Sequence, residues 1–375
     1  MGDKMNKIKL DEYKQNKQYL FLFDILIKEV ASNRDFFLEE LDIAPSSYRR
    51  AKMNEHNISK QYIYKLSNYF GYKIIKENEI EKYQIFLNEI YNNFYYKIDS
   101  KFTYLIGKLE ECISEKNLFQ PIFMLFKLLL TSSKDNSYSI IRNESLYLLE
   151  EVKKYSLFFN NEMNEILDYI ELLFEENIDN KNYNLNDKSA LFYSALASKY
   201  CDRNESLISL FYASKAKEKY FLDANYKRLA NLEFTIMSCY CNMKNYDKYY
   251  ELAYKQFFNF KNLNNSINEY NLSKIHLAIA MLSLNKYKDI LYMFNDIKDM
   301  SFSEIVCVLI AQYKVNKKEY YVLFNNLIQN ARNNIQINDL EIINTYIENK
   351  DKKCLKKLSE NSVLNILVKL LKELN

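Results

Sequence analysis

Apolar residues recur at three- and four-residue intervals along this chain, which is the period of helices that bury one face. Leu20, Phe23, Ile27 and Val30 predict a first helix over Tyr19 to Val30. Ser32 or Asn33 is placed to cap a short second helix, Arg34 to Leu41, with Phe37, Leu38 and Leu41 turned inward. Asp42 to Pro45 reads as a turn, and Pro45 falls near the first turn of the next helix, where its missing N–H costs nothing. A third helix is expected over Ser46 to Met53, with Tyr48 and Ala51 facing the core and Ser46, Ser47, Arg49 and Arg50 on the outer side. Ser59 then caps a fourth, with Tyr62, Ile63, Leu66 and Phe70 inward and Gly71 as its stop.

From Glu77 onward one helical pattern succeeds another, interrupted by short polar breaks such as 132–136, 179–184 and 262–265. Aligning the breaks brings out a weak repeat. The stretch from Leu232 to Ala253 has a helix, a polar turn ending in Tyr246-Asp247 and a second helix carrying a small residue. Similar turns occur at Asn204-Glu205-Ser206, Lys286-Tyr287-Lys288 and Lys318-Glu319-Tyr320, and Ala197, Ala213 and Ala216 mark the preceding unit. The intervals are 40 from Ser206 to Tyr246, 41 to Tyr287 and 33 to Tyr320, around the period of about 34 that defines tetratricopeptide units.

Composition agrees with an all-α chain. Among 375 residues there are 3 glycines and 2 prolines, so helix breakers and hairpin-turn residues are nearly absent. With 48% hydrophobic and 27% charged residues the chain can bury one or two sizeable cores. The net charge is only +3, but it is unevenly spread: from Ser46 to Lys76 stand Arg49, Arg50, Lys52, Lys60, Lys65, Lys73 and Lys76 against Glu55 alone.

The stretch from about residue 18 to 75, with FLEELDIAPSSYRR inside it, resembles the helix-turn-helix of the Xre/Cro repressor family. Leu38 stands where such proteins usually carry a small residue, and Asp42 replaces the usual turn glycine; aspartate tolerates the left-handed conformation better than most residues. The resemblance implies groove reading. Arg49 and Arg50 carry planar forks that suit guanine O6 and N7, Ser46 and Ser47 are short enough to reach phosphates or base edges, and Lys52, Lys60 and Lys65 suit phosphates. The alternative for the arginines is ion pairing with Glu39, Glu40 or Glu55.

If the later repeats stack as a TPR-like α-solenoid, the first helices of successive hairpins line a concave face suited to an extended peptide. Asn231, Phe234, Ser238 and Asn242 then share one helical stripe toward that groove, with amides for a peptide backbone and an aromatic wall; ordinary interhelix contacts are the competing reading. A helix-turn-helix domain over 1–75 followed by a helical repeat domain over 76–375 resembles the RRNPP group of peptide-responsive regulators and the related arbitrium receptors of phages. That resemblance implies a homodimer that binds a double-stranded DNA operator under control of a short signalling peptide. A Rap-like or scaffold protein that modulates another protein without reading DNA is the alternative.

Enzyme chemistry finds little footing. There are two histidines, His56 and His276, and no H-E-x-x-H, G-x-S-x-G or phosphate-cradling glycine loop. Six dispersed cysteines, including the C-x-C pair Cys239/Cys241, read as buried thiols, so no metal or other cofactor is expected. The polar opening MGDKMNKIKLDEYKQNK lacks the apolar core of a secretory leader, and YLFLFDILI and FQPIFMLFKLLL are too short to span a bilayer, which points to a cytoplasmic protein.

Overall fold

The computed structural model describes residues 7–15, 17–53, 59–132, 139–175, 188–261, 267–294, 300–330, 334–358 and 365–373. The described residues are all-α: they form nineteen α-helices and a few 3-10 turns, with one isolated backbone bridge between Lys73 and Asn117. The polar breaks expected at 179–184 and 262–265 lie outside the described residues. Two compact units emerge, one of residues 1–196 with 215–228, the other of 197–214 with 229–375. The boundary expected at 75/76 falls inside the first unit.

In the first unit, α1 (Lys17–Val30), α2 (Arg34–Glu40), α3 (Pro45–Lys52) and α4 (Lys60–Phe70) begin and end within about two residues of the sequence expectation. Asn33 caps α2 by accepting from the backbone N–H groups of Asp35 and Phe36 at 3.0 and 3.2 Å, and Ser59 caps α4 through Gln61 N at 3.2 Å. Leu20, Phe23, Leu38, Tyr48 and Leu66 have no exposed surface and form the centre of this small bundle. Val30, expected inward, is exposed because it ends α1 where no neighbouring helix covers it.

The rest of the unit gathers around α7 (Gln120–Thr131), which is apolar on nearly every side and packs on α5 (Glu77–Tyr95), α6 (Phe102–Ser114), α8 (Ser139–Lys153) and α9 (Asn161–Phe174). The N-terminus departs from its polar reading. Ile8, Leu10 and Tyr13 are fully buried, held as a strap along α5 and α9. The Asn88 side chain accepts from Ile8 N at 2.9 Å and donates to Ile8 O at 2.8 Å, Asn160 donates to Lys9 O at 2.8 Å, and the Tyr13 hydroxyl donates to Phe158 O at 3.0 Å.

In the second unit, α12 (Tyr226–Asn242) to α19 (Asn365–Glu373) share one core. Its centre is Met237, Tyr249, Ala253, Leu277, Ile279, Ile290, Val306, Leu309 and Tyr320. Here α13 (Tyr246–Lys261) lies on α14 (Ile267–Ser283), and α14 lies on α16 (Phe302–Val315). The helices α10 (Ala190–Asp202) and α11 (Ser206–Leu222) contribute residues to both units.

A single backbone device ends several of these helices. Asn204, Ala224, Lys244 and Asn285 all have φ between 51° and 62°. At each, the left-handed residue's own N–H bonds the carbonyl three residues back, and the next N–H bonds five residues back, as in Glu205 N to Tyr200 O at 2.9 Å and Asn245 N to Tyr240 O at 2.9 Å. This is the Schellman cap, and the positions 204, 224, 244 and 285 repeat at about 20 residues per helix or twice that. The turn before Tyr320 is different: Asn316 is extended and caps α17 (Lys317–Gln329) through Lys318 N, so the last sequence interval is shorter. Left-handed φ costs a residue with a Cβ about 1–2 kcal/mol, while glycine adds unfolded-chain entropy. Ala224→Gly and Lys244→Gly are therefore expected to stabilise the fold by about 1 kcal/mol each, read as a higher urea midpoint at unchanged slope; a lower midpoint would contradict the strain argument.

Candidate functional site

The four N-terminal helices present α3 as a short exposed rod. Its inner face is fixed by Tyr48, whose hydroxyl donates to Leu20 O at 3.1 Å, and by buried Ala51. Burial, with the charge of Asp24 close by, pushes the Tyr48 phenol well above its usual range, so it stays an O–H donor. The turn before α3 is set by Asp42 at φ 55°, the left-handed conformation expected there. Ile43 N closes it by bonding Leu38 O at 2.8 Å, so Leu38 is accommodated as a buried residue rather than excluded.

The expected basic contacts divide into two groups. Ser46 is exposed, Ser47 is half-buried, and Arg50 and Lys60 are exposed with no ion pair among the described residues. The other three are engaged inside the bundle. Arg49 pairs with Asp35 at 2.5 Å, linking α3 to α2 through an acid other than Glu39, Glu40 or Glu55. Lys52 pairs with the buried Asp24 of α1 and lies 5.3 Å from the Phe21 ring centre. Lys65 donates to the Asp42 carbonyl at 3.1 Å and sits 3.6 Å from its carboxylate, holding the left-handed turn. His56 lies outside the described residues.

The peptide stripe on α12 is less open than its spacing suggests. Phe234 is 7% exposed and belongs to the core, stacked on Phe260 at 5.9 Å and on His276 at 5.3 Å between ring centres. Asn242 donates to Cys201 O at 3.2 Å, a contact that ties α12 to the end of α10. Ser238 is half-buried, and so is Asn231, whose Nδ2 is enclosed without a hydrogen-bond partner. A cleft of about 470 Å³ in this unit is lined by the turn from Asn285 to Asp289 with Lys314 and Val315, and includes none of the four.

The buried polar groups beside the stripe are structural in their geometry. Tyr249 Oη lies 3.0 Å from His276 Nδ1, and burial depresses the imidazole to about 4. Cys239 and Cys241 of the C-x-C pair are both buried, and the Cys239 thiol donates to Ser209 Oγ at 3.1 Å. The six cysteines are free thiols, and among the described residues no group of three or more His, Cys, Asp or Glu is placed to hold a metal ion. No described helix is long and apolar enough to cross a membrane.

Sequence periodicity missed Asp24 and Asp35, since an acid within a helix carries no mark of which basic residue faces it. It also missed a clamp in the first unit, where Arg228 donates to Phe94 O at 2.7 Å and Tyr95 O at 3.2 Å while Asn225 donates to Tyr95 O at 2.7 Å, satisfying the last carbonyls of α5. Comparison with known proteins adds no relative: the chain matches no protein-family model, no curated protein and no solved structure.

These environments differ in their consequences for stability. Lys52→Ala leaves Asp24 buried and unpaired and is expected to cost about 3 kcal/mol of stability, whereas Lys60→Ala is expected to leave the melting curve in place; equal effects in calorimetry would dismiss the distinction. His276 binds a proton more readily unfolded, at about 6.5, than folded, at about 4. Its contribution is therefore complete above pH 6.5 and is lost as pH falls toward 4, on the order of 3 kcal/mol. His276→Gln is expected to flatten stability against pH in that window, and an unchanged slope would contradict the assignment.

Proposed function

We propose that the chain is a DNA-binding regulator whose operator affinity is set by a short peptide held in its later helical repeats. The observation that carries this reading is the α3 geometry: a short helix entered through a left-handed turn and Pro45, locked on its inner face by Tyr48 and Ala51, with Arg50, Ser46 and Ser47 turned outward. Similarity to the Xre/Cro helix-turn-helix gives that face its role, direct readout by Arg50 with Lys60 on phosphate. Arg49 has a double use in this reading, because its exposed pair with Asp35 can be exchanged for a phosphate or base at little cost.

The recurring left-handed caps at 204, 224, 244 and 285 support a TPR-like array, and similarity to the RRNPP group supplies peptide control and homodimerisation. Asn231, with its enclosed and unpartnered amide, is the strongest of the four candidate peptide contacts. A peptide regulates DNA affinity only to the extent that it binds two arrangements of the protein unequally.

One observation favours the second reading, a Rap-like or scaffold protein that binds another protein. Three of the seven expected DNA contacts, Arg49, Lys52 and Lys65, are already paired within the bundle. Fluorescence anisotropy against DNA from upstream of the chain's own reading frame separates the two. The regulator reading expects sequence-preferring binding that weakens with salt, with Arg50→Ala costing about tenfold or more. It also expects that a peptide encoded by a neighbouring small frame alters that affinity in the wild type and does so less in Asn231→Ala. Binding no better than to competitor DNA at physiological salt would overturn it and leave the protein-partner reading.

A further inference from the structure

One face of α12 carries Thr235, Cys239 and Asn242, spaced so that they stand one above another along the helix. Cys201, near the end of α10, lies against that face. Its thiol donates to Thr235 O at 3.8 Å, while the Asn242 amide stands 3.8 Å from its sulfur and donates to its carbonyl at 3.2 Å. Cys239 falls between those contacts, and the Cys201 thiol is within hydrogen-bonding reach of its sulfur. Two free thiols from different helices of the second unit thus stand side by side.

The surroundings of Cys239 favour its thiolate. Its thiol donates to Ser209 Oγ at 3.1 Å, and Ser206, one turn earlier in α11, is 5% exposed with a hydroxyl that has no hydrogen-bond partner. Hydrogen bonding by Cys201 above all, with Ser209 and Ser206 adding to it, outweighs burial and holds Cys239 below the ordinary thiol range. At Cys112, Cys307 and Cys354 burial prevails instead and pushes the thiol up. The thiolate is the nucleophilic form, which sets Cys239 apart from those three. The pair also lies shallow. Cys201 adjoins the α10–α11 turn, where Asp202, Arg203 and Asn204 are exposed, as are Leu207 and Ile208 at the start of α11.

We propose that Cys201 and Cys239 are a redox pair that a peroxide closes into a reversible disulfide, fastening the end of α10 to α12. The Cys239 thiolate attacks one peroxide oxygen, the O–O bond breaks, and the departing hydroxide takes up a proton as water. The Cys201 sulfur then attacks the sulfenic sulfur, the S–O bond breaks, and a second water leaves with the Cys201 proton. Two thiols give up two electrons and one peroxide becomes two waters. Hydrogen peroxide is close to water in size, so the reaction needs no open cleft. This pair rests on neither the DNA reading nor the peptide reading.

The test is native oxidation of the full chain by hydrogen peroxide at about tenfold molar excess, followed by unfolding and alkylation of the remaining thiols. Two of the 6 cysteines are expected to be blocked, with the other four alkylated and all recovered by dithiothreitol. Trypsin without reductant places Cys201 in residues 200–203 and Cys239 with Cys241 in residues 229–244. The wild type is expected to yield these two peptides linked, at their summed mass less two hydrogens. Cys241→Ser is expected to keep the link, and Cys239→Ser to lose it. The wild-type measurement stands whether or not the variants fold. Absence of the linked peptide, a link that survives in Cys239→Ser, sulfinic acid in place of the bond, or oxidation spread evenly over all 6 cysteines would each overturn the proposal.

Discussion

The left-handed helix cap is the constraint on which the rest of this chain depends. A helix leaves its last carbonyls without partners, and burying them unpaired is costly. A Schellman cap satisfies two of them with the next backbone N–H groups, but it needs one residue at positive φ, where glycine is the residue of least strain. With only 3 glycines in 375 residues, the chain places Asp42, Lys97, Asn204, Ala224, Lys244 and Asn285 there instead, and reserves Gly71 for the end of α4. Each such residue is a local strain that packing on both sides must over-determine. In return the chain reverses within a few residues, and the next helix starts in a fixed direction. The face that α3 presents depends on Asp42 in this way.

The means of holding those caps differ from turn to turn within the first unit. At Asp42 the help is electrostatic: Lys65 reaches from α4 to both the carbonyl and the carboxylate of the strained residue. At Ala224 it is steric and polar, since the turn's neighbours Asn225 and Arg228 are fastened to the end of α5 by hydrogen bonds to Tyr95 O and Phe94 O. Charged donors to helix-terminal carbonyls are among the stronger neutral-to-ionic hydrogen bonds, about 1.5–3 kcal/mol each. A basic residue near a turn is therefore ambiguous by nature. The same ammonium or guanidinium that can meet a phosphate can also be the group that makes the turn possible.

That ambiguity explains what could be read from the residues alone. Helix positions were legible because the apolar period, the Asn33 and Ser59 caps and the Gly71 stop are local signals that agree with one another. The left-handed Asp42 was legible because it stands where the resembled turn carries glycine. The strap at Ile8 to Tyr13 was not: two apolar residues in alternation within a charged segment are too short a pattern, and the amides that hold it lie 80 and about 150 positions away, in Asn88 and Asn160. The stripe Asn231, Phe234, Ser238 and Asn242 was half legible. Its spacing correctly places four residues on one side of α12, but α12 is covered on more than one side, and spacing does not say which side meets solvent. Phe234 went to the core with Phe260 and His276 because a large aromatic gains most from full burial.

The division of the basic residues has a further physical consequence for any partner of the N-terminal bundle. Lys52 cannot leave Asp24 without stranding a nearly buried carboxylate, so its charge is neutralised where it stands. Arg49 is bound to an acid that is itself about two-fifths exposed, and water can take over either half of that pair. Arg50 and Lys60 hold no such partner among the described residues. The bundle's usable positive charge is thus graded, from committed through exchangeable to free, along little more than one turn of α3 and the start of α4. Affinity for a polyanion rises with the number of charges that can be released to it, so the bundle's own ion pairs set a ceiling on electrostatic binding. A polyanion docked on this face would have to draw any selectivity from the few groups left outward, Arg50 and the short serines beside it.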